Sequence, residues 1–227
     1  MYSRINANSF IYSSEFYESE FEGILTGITI CYKMMIKDNI KVPNNENKIR
    51  DILRKDYLNN IAIRDSIGFT DKYNFEREVP EDNDLGRTDI KITTKNTLKD
   101  PKAYYIIECK KLNNKNLTGE TGLNAKYITD GIKRFIIIKY STYCRINGMI
   151  GFVVERMDIS ANIKNINKLL KDNFSDENPV PCLKHLNFIK DFEYQYYSIH
   201  KIGNKKIKLY HLMFDFSESI IEEKASS

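Results

Sequence analysis

Two pieces of the chain decide its fold: residues 86–92, Gly-Arg-Thr-Asp-Ile-Lys-Ile, and residues 103–112, Ala-Tyr-Tyr-Ile-Ile-Glu-Cys-Lys-Lys-Leu. In the first, Ile90 and Ile92 alternate with polar neighbours; in the second, Tyr104, Tyr105, Ile106 and Ile107 form an aromatic and β-branched run. Both patterns are those of β-strands. Side chains two apart on a strand share a face, roughly 6.5–7 Å from one another, so Glu108 and Lys110 project from one side and Cys109 from the other. A carboxylate and an ammonium at the end of an apolar strand need compensation. The available compensators are each other, the carboxylate of Asp89 and a cation. Asp100-Pro101 marks a turn between the strands, and an antiparallel hairpin then brings Asp89 and Glu108 to one point of the sheet. With the Cys109 carbonyl they offer hard oxygen ligands of the kind Mg²⁺ or Mn²⁺ takes. Lys110 sits beside that ion.

The order Gly86-x-x-Asp89-Ile90, a spacer, then an apolar run ending in Glu108-x-Lys110-Lys111 resembles the PD-(D/E)XK phosphodiesterases, the restriction-endonuclease-like superfamily. Thr88 stands where that family's name-giving proline stands. The resemblance implies an α/β fold with an αβββαβ core, a mixed central sheet flanked by helices. The chain is then a single domain: an N-terminal helical extension over residues 1–44, the nuclease core over 45–155, and a C-terminal helix and β-hairpin elaboration over 156–227. It implies that Asp89 and Glu108 hold a divalent metal, Mg²⁺ or Mn²⁺, and that Lys110 orients or activates the attacking water. The reaction implied is hydrolysis of a nucleic-acid phosphodiester, with DNA the expected substrate. Such attack puts negative charge on the non-bridging oxygens, which a metal stabilises while lowering the pKa of its water. Relatives of this fold often add an acidic residue on the helix before the first strand, which points to Glu46, with Glu78 a second candidate. They also bring a basic residue to the phosphate from the helix after the lysine strand; Lys126 matches best, then Arg134, with Lys133 on the same stripe.

Composition bounds these expectations. A chain of 227 residues with 41% hydrophobic and 29% charged content is long enough for one substantial core and ordinary for a soluble globular protein. The net charge of +4 leans only mildly toward a polyanionic partner. No signal-peptide pattern or membrane-length apolar run is present near the N-terminus, so a cytoplasmic protein is expected. Cys31, Cys109, Cys144 and Cys182 are scattered without a Cys-x-x-Cys pair, which suggests reduced thiols.

Outward from the central stretch, Phe21, Leu25, Ile28, Tyr32 and Met35 recur at helical steps, and Glu15, Glu18, Glu20 and Glu22 crowd the first turns, where the helix dipole favours them. A turn at residues 41–45 offers Asn44 or Asn45 as cap for a second helix from Glu46 to about Ile61. Residues 73–79 alternate as a strand, with Phe75 inward and Glu76 outward. Past the lysine strand a polar loop leads to a helix over residues 123–140 with Lys126, Asp130, Lys133 and Arg134 along one stripe, where an exposed face with a Lys126–Asp130 pair is an equally sufficient reading. Gly131 in mid-helix suggests close packing on the sheet. Residues 149–154 are continuously apolar, a central strand buried on both faces. Ile159, Ile163 and Ile166 mark one more helix, and residues 193–202 and 205–216 form a hairpin about Gly203-Asn204. Its lysines and tyrosines fit either nucleic-acid contact or, the favoured reading, the protection of an edge strand.

His185, His200 and His211 lack zinc-site spacing, and no Gly-x-Ser-x-Gly elbow or Walker loop occurs. Two function classes stand: a metal-dependent endonuclease, suited to defence against foreign DNA, or a catalytically silent nucleic-acid-binding or assembly module on the same fold. Cleaving both strands calls for two sites and hence a homodimer; a partner protein of a defence system is the other expected associate.

Overall fold

Apolar side chains at three- and four-residue steps make Ser14–Lys37 the first helix, α1, which buries Phe21, Leu25, Ile28 and Met35. The computed structural model describes residues 14–77, 88–137, 145–172 and 182–221. Glu78, Gly86, the acidic turn at 80–84 and the end of the helix expected to reach residue 140 lie outside the described residues. Val42–Pro43 (β1) pairs in parallel with Ile220–Ile221 (β9) and ties the segment after α1 to the last described strand.

Asn45 caps α2 (Glu46–Ile52), its side chain accepting the Lys48 N–H at 3.1 Å. The helix widens into a π-helical turn over Leu53–Leu58 and then breaks. Asn60 starts a separate helix, α3 (Ile61–Ser66), by accepting the Ile63 N–H. The single helix expected over 46–61 is thus divided, because Asn59 and Asn60 serve caps better than helix interiors.

Seven strands form one mixed sheet in the order β2-β3-β4-β5-β8-β7-β6. They are β2 (Tyr73–Arg77), β3 (Ile90–Thr94), β4 (Tyr104–Leu112), β5 (Ile146–Val153), β6 (Lys184–His185), β7 (Gln195–Ile202) and β8 (Lys205–Asp215). β2, β3 and β4 are antiparallel neighbours, β4, β5 and β8 run parallel, and β7 returns antiparallel to β8. The expected hairpin register holds, with Ile90 opposite Ile107. At the β2 edge the side chains of Arg64 and Asn59 donate to the carbonyls of Tyr73 and Phe75, so this edge does not present them for pairing.

The hairpin of β7 and β8 turns at Gly203, whose φ of +55° suits glycine. Contrary to the edge-strand expectation, β8 lies inside the sheet between β5 and β7. Leu209, Tyr210, Leu212, Met213 and Phe214 are all buried, so both of its faces are covered.

Alternating side chains feed two cores. Tyr105, Ile107, Ile150, Phe152 and Phe214 face α1 and α2, whereas Ile106, Met149, Val153, Leu209 and Met213 face the opposite layer. That second layer is α4 (Leu123–Tyr127), a π-helical turn (Ile128–Ile132), α5 (Lys133–Ile136) and α6 (Ile159–Asp172). The acidic residues of α1 do more than offset its dipole: Tyr105 donates to Glu20 and Tyr210 to Glu22, fastening the helix to the sheet. Among the described residues no helix is long and apolar enough to cross a membrane.

Candidate functional site

Pairing between β3 and β4 stops at Ile90 and Ile107, while β4 continues beside β5 as far as Leu112 and Val153. Beyond Ile107, no strand among the described residues pairs with the edge of β4 that faced β3. Two carboxylates occupy the vacated hydrogen-bonding positions. Asp89 Oδ2 accepts the Cys109 N–H at 2.8 Å, and Glu46 Oε2 accepts the Lys111 N–H at 2.7 Å. Residues 109 and 111 are two apart on the strand, so its repeat of roughly 6.5–7 Å sets the spacing of the two acids. Asp89 is delivered by the residue preceding β3, and Glu46 by the first turn of α2.

The Lys110 amine lies between them. It donates to Glu108 Oε1 and to the Cys109 carbonyl, each at 2.7 Å, and stands 3.3 Å from Glu46 Oε1 and 3.7 Å from Asp89 Oδ2. Arg134 Nη1 approaches Glu108 Oε1 at 2.7 Å from α5. Glu108 is fully buried. Burial, reinforced by the neighbouring Asp89 charge, pushes its carboxyl up to about 7, and Lys110 and Arg134 only partly offset that. For Lys110 the balance runs the other way. Burial pulls its pKa down, but the carboxylates of Glu108, Asp89 and Glu46 outweigh it and hold the amine above the ordinary lysine value. Lys110 is accordingly an ammonium, a donor of hydrogen bonds rather than a base.

Asp89 is held from behind. Its Oδ1 receives Arg50 Nη1 at 2.6 Å, and Arg50, only 2% exposed, turns its Nε and Nη2 to Asp51 Oδ1. Asp51 Oδ2 in turn meets Arg77 Nη1 at 2.5 Å. Sequence reasoning passed over Arg50. The available signal was its position four residues after Glu46, which places acid and base on one face of α2.

The site opens into a cleft of about 380 Å³ between α2 and the helical layer, lined by Glu46, Lys110, Lys111, Lys126, Asp130 and Arg134 among others. Lys126, Asp130 and Arg134 are four apart in sequence. The π-helical turn over Ile128–Ile132, with more residues per turn than an α-helix, keeps such positions in line along the cleft. Of the expected phosphate-binding residues, Lys126 is exposed on this cleft and Arg134 reaches Glu108, whereas Lys133 is half-buried and not among the lining residues. Gly131 allows the close approach: a Cβ there would stand 2.4 Å from Met149 Cε and 3.5 Å from Lys110 Cγ.

The structure thus brings together Asp89, Glu108, Lys110, Glu46 and the Cys109 carbonyl. Among the described residues no group of three His, Cys, Asp or Glu side chains is arranged to hold a metal ion. Cations are interposed between the acids. The donor chemistry nonetheless suits a hard divalent ion. Asp89 Oδ2, Glu108 Oε1, Glu46 Oε1 and the Cys109 carbonyl oxygen all lie within 3.7 Å of one point, now taken by the Lys110 ammonium. Cys109 contributes no sulfur, since its thiol is buried and burial raises its pKa far above the usual value.

The histidines stay apart from this site. Tyr127 OH meets His211 Nδ1 at 2.8 Å, Ser198 Oγ meets His211 Nε2 at 2.8 Å, and the same hydroxyl meets His200 Nε2 at 2.7 Å. All four side chains are buried in the layer beneath α4. Compared with family models, curated proteins and solved structures, the chain matches none.

Proposed function

We propose that the chain is a metal-dependent nuclease that hydrolyses phosphodiester bonds of DNA on the PD-(D/E)XK plan, with defence against foreign DNA as its setting. One observation carries this reading: the oxygens of Asp89, Glu108, Glu46 and Cys109 converge on a buried cation at the open edge of β4. In the proposal, Asp89, Glu108 and the Cys109 carbonyl hold Mg²⁺ or Mn²⁺, with Glu46 as the further acid. The bound ion supplies Lewis-acid stabilisation of the phosphoryl oxygens and an ionised water. Lys110, released from its present bonds, donates to the oxygen that gains charge as the phosphorus is attacked. Arg134 and Lys126 attract and orient the phosphate from the helical wall of the cleft. Cutting both strands calls for two copies, hence a homodimer.

A second reading has one observation in its favour. The four carboxyl groups of Asp89, Glu108, Glu46 and Asp51 are matched by the four cations of Arg50, Lys110, Arg134 and Arg77, so the network carries no excess negative charge without an ion. A nucleic-acid-binding module that keeps the fold without turnover fits that balance. Incubation with plasmid, linear duplex, single-stranded DNA and RNA, with Mg²⁺ or with EDTA, separates the two. The nuclease reading expects Mg²⁺-dependent loss of DNA that Asp89→Ala abolishes in a folded protein. Intact DNA under every condition, together with no heat of Mn²⁺ binding by calorimetry, leaves only the binding module.

A further inference from the structure

Arg50 is the least expected member of this site. It is a guanidinium on α2 with 2% exposure, and arginine is almost never fully buried unless paired. Its fork divides its donors. Nη1 is directed to Asp89 Oδ1 at 2.6 Å, while Nε and Nη2 both reach Asp51 Oδ1, at 3.2 and 3.1 Å. Asp51 is itself anchored by Arg77 on β2. The chain of contacts runs Arg77, Asp51, Arg50, Asp89, and ends one oxygen short of the Lys110 ammonium.

A carboxylate turns easily about its last torsion, where the wells are broad and two-fold. For Asp89 that freedom is removed from both ends. Arg50 takes Oδ1, and Oδ2, held in place by the Cys109 N–H, directs its remaining lone pair toward the point 3.7 Å away where the Lys110 ammonium lies. A lysine could supply the charge but not the planar fork that spans Asp89 and Asp51 together.

We propose that Arg50 is a positioning residue for the divalent ion: it fixes the Asp89 carboxylate so that Oδ2 is presented to the metal. This rests on the metal-dependent reading above. Arg50 touches neither the ion nor the phosphate in this assignment; it acts through Asp89. Its loss weakens ion binding more than it slows the loaded enzyme.

The test compares wild type, Arg50→Gln, Arg50→Lys and Asp51→Asn in Mn²⁺ calorimetry and in Mg²⁺-dependence curves of cleavage, with thermal unfolding as the check on folding. Arg50→Gln is expected to raise the Mn²⁺ dissociation constant and the half-maximal Mg²⁺ concentration at least tenfold. At saturating Mg²⁺ its rate is expected within a few-fold of wild type. Arg50→Lys falls between the two, and Asp51→Asn shifts the constants less than Arg50→Gln. If Arg50→Gln does not fold, Arg50→Lys carries the comparison, with a shift of several-fold expected. A wild type that binds and cuts, with Arg50 variants of unchanged Mn²⁺ and Mg²⁺ constants, overturns the Arg50 assignment alone. A wild type that takes up no Mn²⁺ overturns it together with the nuclease reading. Wild type that binds Mn²⁺ without cutting DNA, with Arg50→Gln tenfold weaker, upholds Arg50 and removes only the catalytic claim.

Discussion

Lys110 can act as a base only by giving up a proton, and the carboxylates around it oppose that loss. Its pKa is raised above the ordinary lysine value even though burial alone would lower it. Three consequences separate its electrostatic role from its structural one. Replacing it with methionine, Lys110→Met, removes the donor that the proposed nuclease mechanism assigns to the phosphate and, on that mechanism, is expected to cost at least ~100-fold in Mg²⁺-dependent cleavage, the scale of losing one such donor. The same change takes away the ammonium that competes for Asp89, Glu108 and Glu46, so Mn²⁺ affinity should rise rather than fall. Thermal unfolding of metal-free Lys110→Met should show a loss of about 3 kcal/mol, since Glu108 then stays buried with Arg134 as its remaining neighbouring cation in this set. Calorimetry showing weaker Mn²⁺ binding in this variant would contradict the picture of the amine standing in the ion's place.

Two elements fix the site, the open edge of β4 and the widened helix over it, and they differ in how far the sequence reveals them. Alternation and apolar runs identify β3, β4 and β5, because a strand's period of two is legible over a few residues. The π-helical turn at Ile128–Ile132 is not legible, since five residues cannot distinguish its periodicity from that of an α-helix. Gly131 signals close packing on the sheet and not the widened turn. Gly131→Val would drive branched carbons into Met149 and the Lys110 stem, and is expected to cost about 1–3 kcal/mol in urea unfolding while reducing activity through displacement of Arg134. A Gly131→Val protein as stable and active as wild type would show that the helix rides higher than described. Asp89, Glu108 and Lys110 were legible because charge at the end of an apolar strand demands a reason; Glu46 came only by resemblance. Arg50 escaped because residues of its type are rarely interior, and its partners lie on separate elements. The interior place of β8 was obscured by Lys206 and Lys208, which suggested an edge. The six-residue run from Leu209 to Phe214, broken only by His211, was the better guide, since a strand covered on both faces has no polar side to show.

At the scale of the whole molecule, the two cores meet through the sheet, and the layer beneath α4 contains the polar chain Tyr127–His211–Ser198–His200. Burial lowers the His200 pKa to about 4, and burial together with nearby His200 lowers that of His211 well below its usual value. Both rings are therefore neutral in the folded protein at pH 7. In the unfolded chain each takes up a proton near pH 6.5. For His200 the unfolded state thus binds more protons between pH 6.5 and about 4, and for His211 from pH 6.5 downward, so both support the fold fully above pH 6.5 and lose that contribution as pH falls below it. For His200 alone the loss from pH 7 to pH 5 is about 2 kcal/mol. Leucine of similar bulk gives up the bond between His200 Nε2 and Ser198 Oγ but also removes a buried Nδ1 that has no hydrogen-bond partner among the described residues, and at neutral pH the two nearly offset. Urea unfolding of wild type and His200→Leu at pH 7 and pH 5 should give stabilities close to one another at pH 7. At pH 5 the variant should be the more stable by about 2 kcal/mol, the carboxylates elsewhere titrating alike in both. Equal losses in the two proteins would mean that His200 is protonated, or reached by water, within the fold. The helical layer that carries Lys126 and Arg134 would then rest on a softer support than its packing implies.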